Sequence, residues 1–173
     1  MVTFEEFKSQ WLEEVRVGDP STVVLGHRFA EKILRDWQEI DWATADITLC
    51  DGAGDGGIDA AVFVAADPNE GLEGDTWLLI QSKYGTSFGG ADTIGIEAQK
   101  VFATLEGKRE RLSGLSDQLV SRLRNFLENR GPKDTLEYVL ATTDRLTSEE
   151  LEYLSNVRTL GRSKFGECFN VEG

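Results

Sequence analysis

The chain has 173 residues, 40% hydrophobic and 28% charged, with 18 Gly and only 3 Pro. These proportions fit one ordinary globular domain over residues 1–173 and exclude a disordered, collagen-like or repeat protein. At this length about two thirds of the unfolded surface can be buried, so the fold needs no disulfide or structural metal. Cys50 and Cys168 lack the paired spacing of a zinc site and fit a reducing compartment. The longest uninterrupted apolar run is Ala60 to Ala66, and the first stretch, MVTFEEFKSQWLEEV, is acidic and amphipathic. Neither a transmembrane helix nor a signal peptide is read from them, and the expected location is the cytoplasm.

The net charge of −13 argues against a polyanion partner at first sight, because phosphate binding rests on Lys and Arg. Its distribution matters more. Residues 1–80 carry 5 basic and 17 acidic side chains, whereas residues 81–173 carry 13 and 14. A polyanion would meet the second half, where Lys100, Lys108, Arg109, Arg111, Arg122, Arg124 and Arg130 fall on helical patterns. The acidic half could instead hold a cation.

Phe4, Phe7, Trp11 and Val15 recur at helical spacing and predict a first amphipathic helix. A second is expected from Asp19 as N-cap and Pro20 at the first position, with Val23, His27, Ala30, Leu34 and Trp37 as its stripe. Three strands follow, about Ala45 to Cys50, Ile58 to Ala65 and Thr76 to Lys83, separated by the turn residues GAGDGG and DPNEGLEGD, which predict a meander. From Asp92 to Arg130 the pattern is helical with a break near Gly107 or Gly114. Thr135 to Thr142 reads as a buried strand, Thr147 and Glu150 as the capping box of a further helix, and Phe165 to Val171 as a last, weaker strand. The expected class is α/β, a central mixed sheet flanked by helices in the order α-α-β-β-β-α-α-β-α-β. The chain stops at Gly173 without a tail or closing helix, and the expectation is the N-terminal part of a longer protein.

GAGDGG matches the dinucleotide fingerprint in its letters, but that fingerprint requires a helix after the glycines. Here the strand IDAAVFVA follows, so the glycines are read as a tight turn. More informative are Asp59 at the start of one strand and Gln81 and Lys83 at the end of the next. Residues two apart in a strand share a face, so Gln81 and Lys83 point one way and Ile80 and Ser82 the other. Two hairpin-connected strands can then bring a carboxylate, a carboxamide oxygen and an ammonium to one cleft. A divalent cation held by such oxygens polarises a phosphoryl group and acidifies water, and a neighbouring lysine orients that water or stabilises developing charge.

DGGIDA followed by IQSKYG resembles the PD-(D/E)XK superfamily in its Q-x-K form, seen in Mrr-like restriction endonucleases. The longer wording, GAGDGGIDAAVFV, DTWLLIQSKYG and a following EAQKV helix, is similar to the N-terminal domain of AIPR (abortive infection phage resistance) proteins. The resemblance covers roughly residues 20–145. It implies a restriction-endonuclease-like core and Mg²⁺-dependent hydrolysis of phosphodiester bonds, with Mn²⁺ as a substitute, by an endonuclease of antiviral defence. By it, Asp59 is the metal-binding aspartate, Gln81 stands where an acidic residue is usual, Lys83 is the motif lysine, and Glu31 is a further acidic ligand. A neutral amide binds Mg²⁺ more weakly than a carboxylate, so Glu31 or Asp55 has to supply the second negative charge. Lone His27, four residues before Glu31, is read as a packed histidine. Lys100 and Tyr84 are candidate substrate contacts, for a phosphate and a base, with Gln99 and Phe88 beside them. The expected partners are nucleic acid, DNA ahead of RNA, a second copy in a homodimer, and the further domains of a longer chain. The alternative is a module that kept the fold, lost turnover, and binds nucleic acid or a protein.

Overall fold

A computed structural model describes residues 1–41, 45–50, 57–84, 90–108 and 117–173. Helix α1 (Phe4–Arg16) opens with the capping box of Thr3 and Glu6. Helix α2 (Thr22–Lys32) is capped by Ser21, whose hydroxyl accepts from Val24 N–H, and not by Asp19. Gly18 and Asp19 both adopt positive φ in the turn between the helices, which moves the start of α2 past Pro20. Its stripe also differs from expectation. Phe29, Ala30, Ile33 and Leu34 are buried, whereas Val23 and Trp37 are exposed. A π-helical turn over Ile33–Trp37 takes an extra residue into the turn, so the chain rotates less per residue after Lys32, which takes Trp37 off the buried face and sets its ring edge-on to Trp11. Arg35 and Lys32 hold the Asp36 carboxyl down at about 2, and Asp36 also accepts from Trp11 Nε1, fastening α1 to the end of α2.

Strands β1 (Asp46–Leu49), β2 (Ala60–Val64) and β3 (Thr76–Lys83) form the expected antiparallel meander. A 3₁₀ turn at Pro68–Glu70 and Gly71 in the left-handed region reverse the chain between β2 and β3. Helix α3 (Ala91–Leu105) ends near Gly107, and α4 (Asp117–Asn129) follows; Gly114 lies outside the described residues. Strand β4 (Thr135–Thr142) pairs parallel to β3 after this helical crossover, as parallel neighbours require. Helix α5 (Ser148–Phe165) starts at the Thr147–Glu150 capping box and runs to Phe165, so the last strand, β5 (Phe169–Glu172), begins later than expected. Phe165 belongs to the helix because its ring packs on Phe102 and Phe169, and Gly166 with positive φ makes the stop. β5 is parallel to β4, and the order is β1-β2-β3-β4-β5, a five-stranded mixed sheet flanked by helices.

Strand alternation splits the core in two. Ala60, Val62, Leu78, Ile80, Val139 and Ala141 pack against Leu12 and Val15 of α1 and the buried residues of α2 and its π turn. Ala61, Trp77, Leu79, Leu136, Tyr138 and Leu140 face α3, α4 and α5. β3 is therefore covered on both faces, which explains its nearly continuous apolar run. No helix among the described residues is long and apolar enough to cross a membrane.

Candidate active site

The end of β3 is where the two faces of the sheet present polar groups. Asp59 immediately precedes β2; its N–H donates to Ile80 C=O at 2.7 Å and its C=O accepts from Cys50 N–H at 2.8 Å, so it joins β1, β2 and β3. Its Oδ2 accepts from the backbone N–H of Ser82 at 2.6 Å and from the Ser82 hydroxyl at 3.0 Å. Ser82 sits between Gln81 and Lys83, so Asp59 is fastened to the middle of the Q-x-K string. The Ser82 hydroxyl also lies 3.5 Å from Gly26 C=O in α2, which marks that side as the α2 face.

Gln81 and Lys83 turn to the opposite, α3 face. Lys83 Nζ stands 3.6 Å from Glu97 Oε1, and Lys100 Nζ stands 2.9 Å from the same oxygen. Glu97 is only 5% exposed, and Gln81 likewise 5%. Among the described residues Gln81 Oε1 is buried with no hydrogen-bond partner. Gly57, at φ +83°, lets the start of β2 close against this helix: a Cβ there would stand 3.0 Å from Glu97 C=O. The buried Tyr138 hydroxyl donates to Gly57 C=O at 3.2 Å and holds that approach.

Glu31 lies on α2, partly buried and next to buried Ala30; among the described residues nothing ties it to Asp59. His27 Nε2 is 3.0 Å from Cys50 C=O and donates to it, bracing α2 against the end of β1. The Tyr84 hydroxyl accepts from Arg16 Nε at 2.6 Å and its ring meets Phe29 edge-on, so it links α1 to the end of β3. Gln99 is exposed on α3. Arg122 pairs with Asp46 and lies over Trp77. Asp55, Phe88, Arg109, Arg111 and the glycines at 52, 54 and 56 lie outside the described residues.

Sequence reasoning assigned Glu97 no role. The signal was present: Glu97 falls between Ile94 and Val101 on the apolar stripe of its helix, where an acid is out of place without a partner. Among the described residues no group of three or more His, Cys, Asp or Glu side chains gathers to hold a metal. The oxygen donors at this strand end are divided between the faces, Asp59 with Ser82 on one and Glu97 with the amide oxygen of Gln81 on the other, so Asp59, Gln81 and Lys83 do not meet in one cleft as expected. Such oxygens suit a hard divalent cation, and the unpartnered Gln81 Oε1 is the feature that fits one. No family model, no curated protein and no solved structure matches the chain.

Proposed function

We propose that the domain is a Mg²⁺-dependent nuclease with a restriction-endonuclease-like core of the PD-(D/E)XK type, cutting phosphodiester bonds, of DNA ahead of RNA, in antiviral defence. The observation that carries this reading is the junction of Asp59 with Ser82, between Gln81 and Lys83 at the carboxyl end of a central strand. The order of a helix, an antiparallel three-strand meander, helices and a parallel strand supports the same core.

In this reading Asp59, with Glu31 of α2 as a second carboxylate, would hold the cation on the Ser82 side of β3, while Gln81, expected as a further ligand, turns to the opposite face. Mg²⁺ would supply Lewis acidity at a phosphoryl oxygen and lower the pKa of bound water. Ser82 fixes the Asp59 carboxylate through two donors, so that group is oriented before substrate arrives. Lys83, about one third exposed, orients the attacking water and offsets the charge that develops on the phosphoryl oxygens. Water forms the new bond to phosphorus, its proton passes to solvent, and the sugar oxygen leaves with its bonding electrons. Lys100, on the same rim, contacts a neighbouring phosphate.

The test is incubation with plasmid, single-stranded DNA and RNA in Mg²⁺, Mn²⁺ and EDTA, for the wild type and Lys83→Ala. Cleavage in either metal, none in EDTA, and a rate lowered about a hundredfold by Lys83→Ala are expected. Salt-dependent binding without cleavage in any metal replaces this reading with a binding module that has lost turnover.

A further inference from the structure

Glu97 presents an electrostatic problem that its lysines only partly answer. Its side chain is 7% exposed, and among the described residues both ammonium groups that reach it converge on the same oxygen, Oε1, from side chains that are 34% and 40% exposed. A buried carboxylate persists only with strong compensation. On the same face of the sheet, Gln81 Oε1 is buried and finds no donor among the described residues. An anionic acceptor and an unpartnered neutral acceptor on one face of one strand end ask for a shared positive group.

We propose that Glu97 and Gln81 supply the protein ligands of a hard divalent cation on the α3 face, with Lys100 neutralising Glu97 when no cation is bound. This rests on the metal-dependent reading above and gives Gln81, on the face of β3 opposite the Asp59 carboxylate, the anionic partner that the Q-x-K string lacks. Lys100 suits an exchangeable partner: its stem is flexible and its exposure lets the ammonium swing into water without a large desolvation cost. The helix backbone that carries Glu97, in contrast, is held. Gly57 closes against the Glu97 backbone, and Tyr138 pins Gly57 in turn. The donors are all oxygens, which suits Mg²⁺ or Mn²⁺ over Zn²⁺.

The experiment is Mn²⁺ titration calorimetry on the whole chain, with electron paramagnetic resonance counting free Mn²⁺, for wild type, Glu97→Gln, Lys100→Ala and the charge-matched control Glu73→Gln, exposed and paired with Lys133. Glu97→Gln is expected to weaken Mn²⁺ at least tenfold and Glu73→Gln to leave it unchanged. Lys100→Ala is expected to tighten it severalfold, because a competitor for the carboxylate is removed; a purely structural ion pair gives no tightening. Wild-type affinity in Glu97→Gln, or no tightening in Lys100→Ala, overturns the proposal. If Glu97→Gln fails to fold, Lys100→Ala decides alone. The expected pattern without cleavage of any nucleic acid sinks the nuclease reading only. Metal-dependent cleavage with Glu97→Gln at wild-type affinity sinks the Glu97 site only. A wild type that binds no Mn²⁺ sinks both.

Discussion

Ser82 donates twice to one oxygen of Asp59, through its backbone N–H at 2.6 Å and its hydroxyl at 3.0 Å. The carboxylate assigned to a cation is thus also the clip that closes the ladder between β2 and β3. Removing it altogether mixes two effects, since the Ser82 N–H then loses its acceptor.

Asp59→Asn separates them. The amide keeps an oxygen for Ser82 but loses the charge, so unfolding free energy in urea is expected to stay within about 1 kcal/mol of wild type while Mn²⁺ affinity falls at least tenfold. Ser82→Ala is expected to do the reverse, losing about 1.5 kcal/mol of stability from one bond to a charged acceptor, with smaller loss of affinity.

Gln81 offers a substitution whose sign depends on the cation. Gln81→Glu places a second carboxylate on the face that already buries Glu97, so the metal-free variant is expected to be less stable than wild type by about 2 kcal/mol. Saturating Mn²⁺ restores that loss, and Mn²⁺ affinity stays equal or rises. Gln81→Ala lowers affinity modestly, and Glu31→Gln lowers it further because a full charge is lost. Thermal melts with and without Mn²⁺, beside calorimetry, check all three; an indifferent Glu31→Gln removes Glu31 from the site.

Glu137 on β4 lies beside the residues of β5. Burial, and then the hydrogen bond and repulsion from Glu172, push its carboxyl up to about 7, while Asn170, 3.5 Å away, pulls the other way. The folded state therefore holds a proton that the unfolded chain releases near 4.5, so stability is full below that pH and declines as pH rises to about 7. Glu137→Gln cannot ionise. Its melting temperature is expected to exceed wild type at pH 8, with the difference shrinking toward pH 5.

Gly161 in α5 faces Phe169 so closely that a Cβ would stand 2.1 Å from the ring. Phe169 is fully buried against Phe102 and Phe165 and has nowhere to turn. Gly161→Ala gains about 1 kcal/mol of helix propensity but overpacks the core by up to about 3 kcal/mol, so a net loss of about 2 kcal/mol in chemical denaturation is expected.

The strands that carry the site were the most legible part of the chain. TWLLIQSK and TLEYVLAT were bounded to the residue because both are rich in β-formers, covered on both faces and flanked by turn residues. The capping box at Thr147 was legible for a similarly local reason. Asp19 misled because a good capping side chain says nothing about φ, and the turn claims that residue with a positive φ. Trp37 misled because a fixed 3.6-residue period does not anticipate a π turn. Within the candidate site, the alternation of β3 correctly set Gln81 and Lys83 against Ser82. It did not show that Asp59 bonds to Ser82 or that Glu97 waits across the helix, since both depend on contacts between distant segments.

The parallel pairing of β3 with β4 joins residues 59 apart in sequence, such as Thr76 and Thr135, whereas β2 and β3 meet through the much shorter connection of residues 65–75. Long loop closures slow folding, so the meander is expected to assemble early and the parallel partner to arrive late. Until β4 docks, WLLI in β3 presents an open edge suited to pairing with another chain. During synthesis that interval lasts until residue 142 has left the ribosome.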